Sequence, residues 1–167
     1  MVALSSCSSL RTASDYDKNV DFRAYKSYSF YDKGLARLRL NDLDKRRLMA
    51  ALDAEMTAKG FVKAEGKPDF LVNLVLVSRE RTEVYNYGPG YYGMGWGWGW
   101  RGGFWGGGFN NVNQFTEGTI IIDFLDPQQK KLVWHGLGSG LNMDNYKKRE
   151  ERFQTGVKEI LAQYPPK

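Results

Sequence analysis

The chain has 167 residues, a formal net charge of +5, one cysteine and one histidine. That length suits one domain with its own hydrophobic core. The cysteine count excludes an intramolecular disulfide, and the histidine count excludes a His-rich metal centre. No run approaches the roughly 18 apolar residues of a membrane-spanning helix.

Leu4-Ser5-Ser6-Cys7 opens the chain, with small residues between a leucine and the sole cysteine. A bacterial lipobox has this form: it is cut before the cysteine, whose thiol and new amino group are then acylated. Cys7 is therefore expected to carry a lipid anchor. Only six residues precede it, none of them Lys or Arg, whereas an export signal needs a charged start and about 7–15 apolar residues. The given start accordingly reads as lying inside a longer signal. The expected organisation is a signal remnant at 1–6, a lipidated tether at 7–13, and one α+β domain at 14–167 with a flexible insertion at 86–111. Ser8 stands where an aspartate would signal inner-membrane retention, so the outer membrane is the expected location, facing the periplasm. Surface exposure is the alternative.

Along the domain, Asp15 to Asp17 and Ser27 to Tyr31 alternate like strands, joined by a turn around Asp21 to Tyr25. The basic excess between Lys33 and Arg47 could touch anionic lipid or nucleic acid, but a solvated linker and helix start is the reading preferred. Asn41 with Asp44 is a capping-box variant. Leu48, Leu52 and Met56 then form a helical apolar stripe, which Gly60 ends. Phe61 to Lys63 is a short strand. Asp69 to Val77 is apolar on both faces and reads as a central strand. From Ser78 to Glu83 both faces turn polar, as in a strand leaving the core as an arm.

The strand pattern resumes over Gln114 to Asp126, turns at Pro127 to Lys130, and continues over Lys131 to Gly138. A five-residue connection would set Leu132 opposite Phe124 and Trp134 opposite Ile122, with His135 on the other face. Tyr146, Phe153, Val157, Ile160, Leu161 and Tyr164 mark one face of a last helix. The fold class expected is α+β: an antiparallel sheet of about six strands, two helices packed on it, and a long Gly/Trp-rich hairpin insertion.

Residues 88–108 hold 11 of the chain's 19 glycines and four of its five tryptophans. So many glycines oppose a compact element of their own. If residues 95–100 are extended, Trp96, Trp98 and Trp100 share one face. Together with Tyr91, Tyr92, Phe104 and Trp105 they form a candidate surface for stacking on sugars, entering a lipid interface or packing on a protein. Two competing readings are that the indoles fold back over the sheet, or that the loop is disordered. Gly88 to Gly93 also fits G-x-G-x-x-G, but glycine and tryptophan follow where a dinucleotide site needs a helix.

No catalytic constellation emerges. A Ser139, His135 and Asp123 grouping lacks a nucleophile-elbow sequence. Asp15, Asp17 and Asp21 lack the spacing and glycine of a calcium loop. No cofactor or metal is called for.

The chain resembles the bacterial lipoproteins grouped as domain of unknown function 4136. The resemblance lies in Ser14-Asp15-Tyr16-Asp17, Asp21-Phe22, Tyr25-Lys26-Ser27-Tyr28 and Pro68-Asp69-Phe70-Leu71-Val72-Asn73. It continues through the glycine- and aromatic-rich insert, Thr116 to Asp123, Lys131-Leu132-Val133-Trp134 and Lys148-Arg149-Glu150-Glu151-Arg152. The resemblance implies an envelope lipoprotein and brings no catalytic residues with it. The expected function is non-enzymatic: a lipid-anchored envelope protein that binds a partner, glycan or membrane surface through its tip, with no nucleic acid involved. The alternative is an enzyme acting on an envelope polymer.

Overall fold

The computed structural model describes residues 10–84 and 112–166. Six strands form one sheet: β1 (Arg11–Tyr16), β2 (Ser27–Phe30), β3 (Val62–Lys63), β4 (Phe70–Val84), β5 (Val112–Asp126) and β6 (Lys131–Asn142). Their spatial order is β1-β6-β5-β4-β2-β3. The helices are α1 (Asp32–Arg37), α2 (Asp42–Ala58) and α3 (Arg149–Leu161), with short 3-10 turns at Phe22–Ala24 and Tyr146–Lys148.

The sheet is mixed rather than antiparallel, because β2 runs parallel to both β3 and β4. The chain leaves β2, passes through two helices and returns beside it, and such a crossover yields parallel neighbours. β1 and β2 are also far apart. β1 lies on the outer edge against β6, so the segment 17–26 crosses the base of the sheet instead of closing a hairpin. β1 begins at Arg11, inside the stretch read as tether.

A third helix, α1, occupies part of the stretch read as linker. Glycine lowers helix propensity and hides α1 from a pattern search. Here Gly34 is required: a Cβ at this position would lie 1.8 Å from Asn73 Oδ1. Helix α1 packs against β4 where β2 has already ended.

Only one face of the sheet is deeply buried. Phe70, Val72 and Leu74 of β4, Ile120, Ile122 and Phe124 of β5, and Trp134 of β6 point into the core. Helices α2 and α3 cover them through Leu48, Leu52 and Met56 and through Phe153, Val157, Ile160 and Leu161. The other side of β4 is open, with Val75 and Val77 exposed. Continuous apolarity thus made β4 an interior strand without giving it two covered faces.

Two further sequence expectations change. Tyr146 is 73% exposed and lies outside the helix, with the Arg149 guanidinium 4.0 Å from its ring centre. The last hairpin is shifted: Phe124 pairs with Trp134 and Leu125 with Leu132. Val133 is the extra residue of a β-bulge there, buried together with Trp134, which moves every later pair by one position. The turn leading in is tightened by Asp126, whose Oδ1 accepts from the backbone N–H groups of Gln128 and Gln129. Lys130 completes it at φ 53.

Helix α3 lies directly on the backbone of β6. A Cβ built on Gly138 would lie 2.8 Å from Ile160 Cγ1 and 2.9 Å from Leu10 Cδ2. Gly138→Val should therefore cost about 1–3 kcal/mol by overpacking. Ile160→Ala added to it should recover part of that loss. Urea denaturation of the two variants checks both values, and equal or greater loss in the double variant contradicts the close contact.

Helices α2 and α3 run side by side, joined at their N-terminal ends by a buried ion pair. Asn41 caps α2 by accepting from the Asp44 N–H at 2.9 Å. The Asp44 carboxylate accepts from Arg47 at 2.9 Å and from Arg149 at 2.5 Å. Arg149 also donates to the Met143 carbonyl, tying in the end of β6. Burial by itself would raise the Asp44 carboxyl, but hydrogen bonds from Arg47, Arg149 and Asn41 hold it below its ordinary 3.8. A lowered folded value contributes stability above the unfolded value, and that stability is lost as pH falls through the folded one. Arg149→Ala leaves the buried carboxylate short of a partner and should cost about 3–5 kcal/mol at neutral pH. The deficit should shrink below pH 3.8, as denaturation curves across that range would show.

Candidate functional site

Two features outside the core could act: the extension of β4 and β5, and a polar row on the open face. β4 and β5 stay paired from Leu71–Leu125 out to Val84–Val112. Their neighbours stop earlier. β6 leaves β5 at Glu117–Asn142 and β2 leaves β4 at Phe30–Val72. Beyond Glu117, whose partner in β4 is Arg79, the two strands form an arm over 80–84 and 112–116, where Glu80 is exposed. The arm follows from sequence chemistry, since polar side chains on both faces give neither face a core to join.

Val84 and Val112 are paired neighbours, so residues 85–111 begin and end at one point, the far end of the arm. The candidate binding residues Tyr91, Tyr92, Trp96, Trp98, Trp100, Phe104 and Trp105 belong to that stretch and lie outside the described residues. Cys7 also lies outside them.

On the open face, one row crosses four strands: Asp15, His135, Asp123 and Asn73 are successive partners in the ladders. His135 Nδ1 is 2.6 Å from Asp123 Oδ1. Asn73 Nδ2 donates to Asp123 Oδ2 at 3.1 Å. The Asn73 Oδ1, packed against Gly34, is buried without a partner. The bulge at Val133 creates the His–Asp contact, since continuing the Leu125–Leu132 register without it would have put His135 opposite Ile122. Asn73 was missed as a member of this row. Its signal was a lone amide in an apolar strand, readable only once its neighbours were known.

The row does not assemble a triad. Ser139 is four residues along β6 from His135, roughly 13 Å at strand rise, and its hydroxyl donates to the Arg11 carbonyl at 3.5 Å. Among the described residues no group of three or more His, Cys, Asp and Glu could hold a metal. Likewise no described helix is long and apolar enough to cross a membrane.

At the opposite end, aromatic rings close the base of the core. Phe22 meets Tyr16, Tyr25 and Tyr164 edge to face, and Phe61 packs on Phe70 and Tyr164. Burial, reinforced by its hydrogen bond to Asp126 at 3.0 Å, pushes the Tyr25 hydroxyl well above its ordinary value. These groups fasten the 17–26 crossing to the β5–β6 turn, which is a structural task.

A one-sided mixed sheet, helices on its inner face and a two-stranded arm define an α+β domain built around an extension. The chain belongs to the family described as Domain of unknown function (DUF4136), whose model matches residues 12–166. Among solved structures it is similar to a PDZ domain protein from Parabacteroides distasonis, with TM-score 0.56 and 16% identity. That match covers 95% of this chain and 35% of the other, so the chain spans about a third of that protein. It is also similar to the PelC dodecamer from Paraburkholderia phytofirmans, with TM-score 0.50, 10% identity, and 92% and 95% of the two chains covered. At these identities the likeness is one of fold. No curated protein matches.

The row yields a direct test. Asp123→Ala removes the acceptor of Asn73 Nδ2, already short of a partner at its oxygen. It should cost about 1–3 kcal/mol, against less than about 1 kcal/mol for His135→Ala at a half-buried site. Denaturant titration of both variants checks the order, and a larger loss for His135→Ala would reverse the reading.

Proposed function

We propose that this chain is a lipid-anchored protein of the bacterial cell envelope, without enzymatic activity. Cys7 carries the anchor, and the glycine- and aromatic-rich segment on the arm binds a partner, a glycan or a membrane surface. The observation that carries this reading is the pairing of β4 with β5 out to Val84–Val112. It brings both ends of residues 85–111 together beyond the packed domain. That stretch holds four tryptophans, side chains that bring large contact area with one polar edge. Loops on a rigid scaffold are the usual place for binding residues, and here two paired strands supply the scaffold.

The second reading, an enzyme acting on an envelope polymer, has one observation in its favour. His135 and Asp123 are in contact on the open sheet face, the arrangement that orients a general base. It lacks a nucleophile at bonding distance among the described residues.

Substitution separates the two. Replacing residues 88–108 by an Asn-Gly turn should leave the melting temperature nearly unchanged and abolish binding to outer-membrane vesicles. His135→Ala should leave that binding intact. A Cys7→Ser protein made with a complete export signal should move from the membrane to the soluble fraction, since stable anchoring takes more than one acyl chain. Full retention of Cys7→Ser in the membrane sinks the anchor. A folded loop variant that binds as well as the parent sinks the role of the tip.

A further inference from the structure

We infer that the domain stands on its bilayer with the arm end of the sheet toward the lipid, so that the surface this end meets is the headgroup layer. The inference rests on the reading of Cys7 as the anchor and names the partner that reading leaves open. Its basis is the direction in which the chain enters the fold. Arg11 pairs with Ser139, Ser139 with Thr119, and Thr119 with Val77. These four residues form one level across the sheet, two residues of β5 short of Glu117, where β6 ends and the arm begins. From that level β1 runs toward the base while β4 runs out along the arm. The residues before Arg11 therefore leave the sheet on the arm side.

Leu10 fixes that exit. Its Cδ2 lies 2.9 Å from where a Cβ of Gly138 would be and 3.8 Å from that of Gly156, so it is seated between β6 and α3. Only Ser8 and Ser9 separate it from Cys7, and three residues of chain reach about 10 Å at most. From the same level β4 continues seven residues to Val84, roughly 23 Å. That distance is about twice the reach of the tether. A lipid on Cys7 thus holds that level nearer to the bilayer than it is to the end of the arm. An arm directed to that side must enter the headgroup layer or lie along it.

The base, with Lys67 in the turn before β4, is displaced in the opposite direction by a similar strand length. Exposed charges near this end of the sheet have both signs, Arg11 and Arg79 among Glu80 and Asp144. Tether reach, not net charge, sets the orientation.

The test uses the full-length lipidated protein in vesicles of phosphatidylethanolamine and phosphatidylglycerol. A fluorophore is attached at Arg79→Cys at the root of the arm or at Lys67→Cys at the base, the Cys7 thiol being blocked by its lipid. Spin-labelled headgroup lipid serves as quencher. Quenching should be severalfold stronger at position 79 than at 67. Equal quenching at the two positions, or stronger quenching at 67, overturns the orientation and leaves the anchor standing. Protein that fails to float with the vesicles overturns the anchor and the orientation with it.

Discussion

Helix α3 rests on a stretch of β6 where Gly136 and Gly138 present backbone alone, and much of the molecule depends on that close approach. Side-chain branches at either position would run into Ile160 or Trp134. With α3 held this near, Ile160 and Val157 reach the sheet and Trp134 is enclosed completely. The same approach leaves room for Leu10, which brings the N-terminal strand in against β6. It also brings Arg149, at the start of α3, within reach of Asp44 at the start of α2. The second helix is thereby positioned through the first.

That buried ion pair is a fastening rather than a large source of stability. Desolvating two charges costs several kcal/mol each, and their attraction returns that only when the remaining hydrogen bonds are satisfied. Asp44 meets the condition with three side-chain donors, whereas Arg149 Nε is left unpaired. The pair's value lies in registration. It fixes two helices and the end of β6 at the arm root, where the chain enters and where β4 and β5 leave the core.

A sheet covered on one side has consequences at its open face. The Asp15, His135, Asp123 and Asn73 row is possible because no helix lies over it, and α1 borders it only at β4. The long pair β4 and β5 has a related origin. Once its side chains turn polar on both faces, hydrogen bonding between the two strands continues without a core, and the arm results. Arm and entry point at one end of the sheet give this domain a polarity that a compact sandwich would lack.

The elements legible in the sequence were those set by local chemistry. Asn41 and Asp44 announced the start of α2, Gly60 its end, and alternating apolar residues gave β4 and β5, because caps and side-chain periodicity act within a few residues. The change to polar faces after Val77 likewise announced the arm, and the tryptophan- and glycine-rich composition marked the stretch beyond it. Pairing was decided elsewhere. Nothing local to Ser27–Phe30 says that it lies parallel to β4, nor to Arg11–Tyr16 that it joins β6, since those choices are made by surfaces distant in sequence. Helix α1 was concealed because Gly34 answers to Asn73 rather than to helix propensity. The His135–Asp123 contact waited on a one-residue bulge at Val133, which only the shared burial of Val133 and Trp134 could select. Composition and periodicity thus determined the segments other than α1 and which of them stay in water; tertiary packing decided α1 and the neighbours of all the rest, because burial is a property of surfaces that meet.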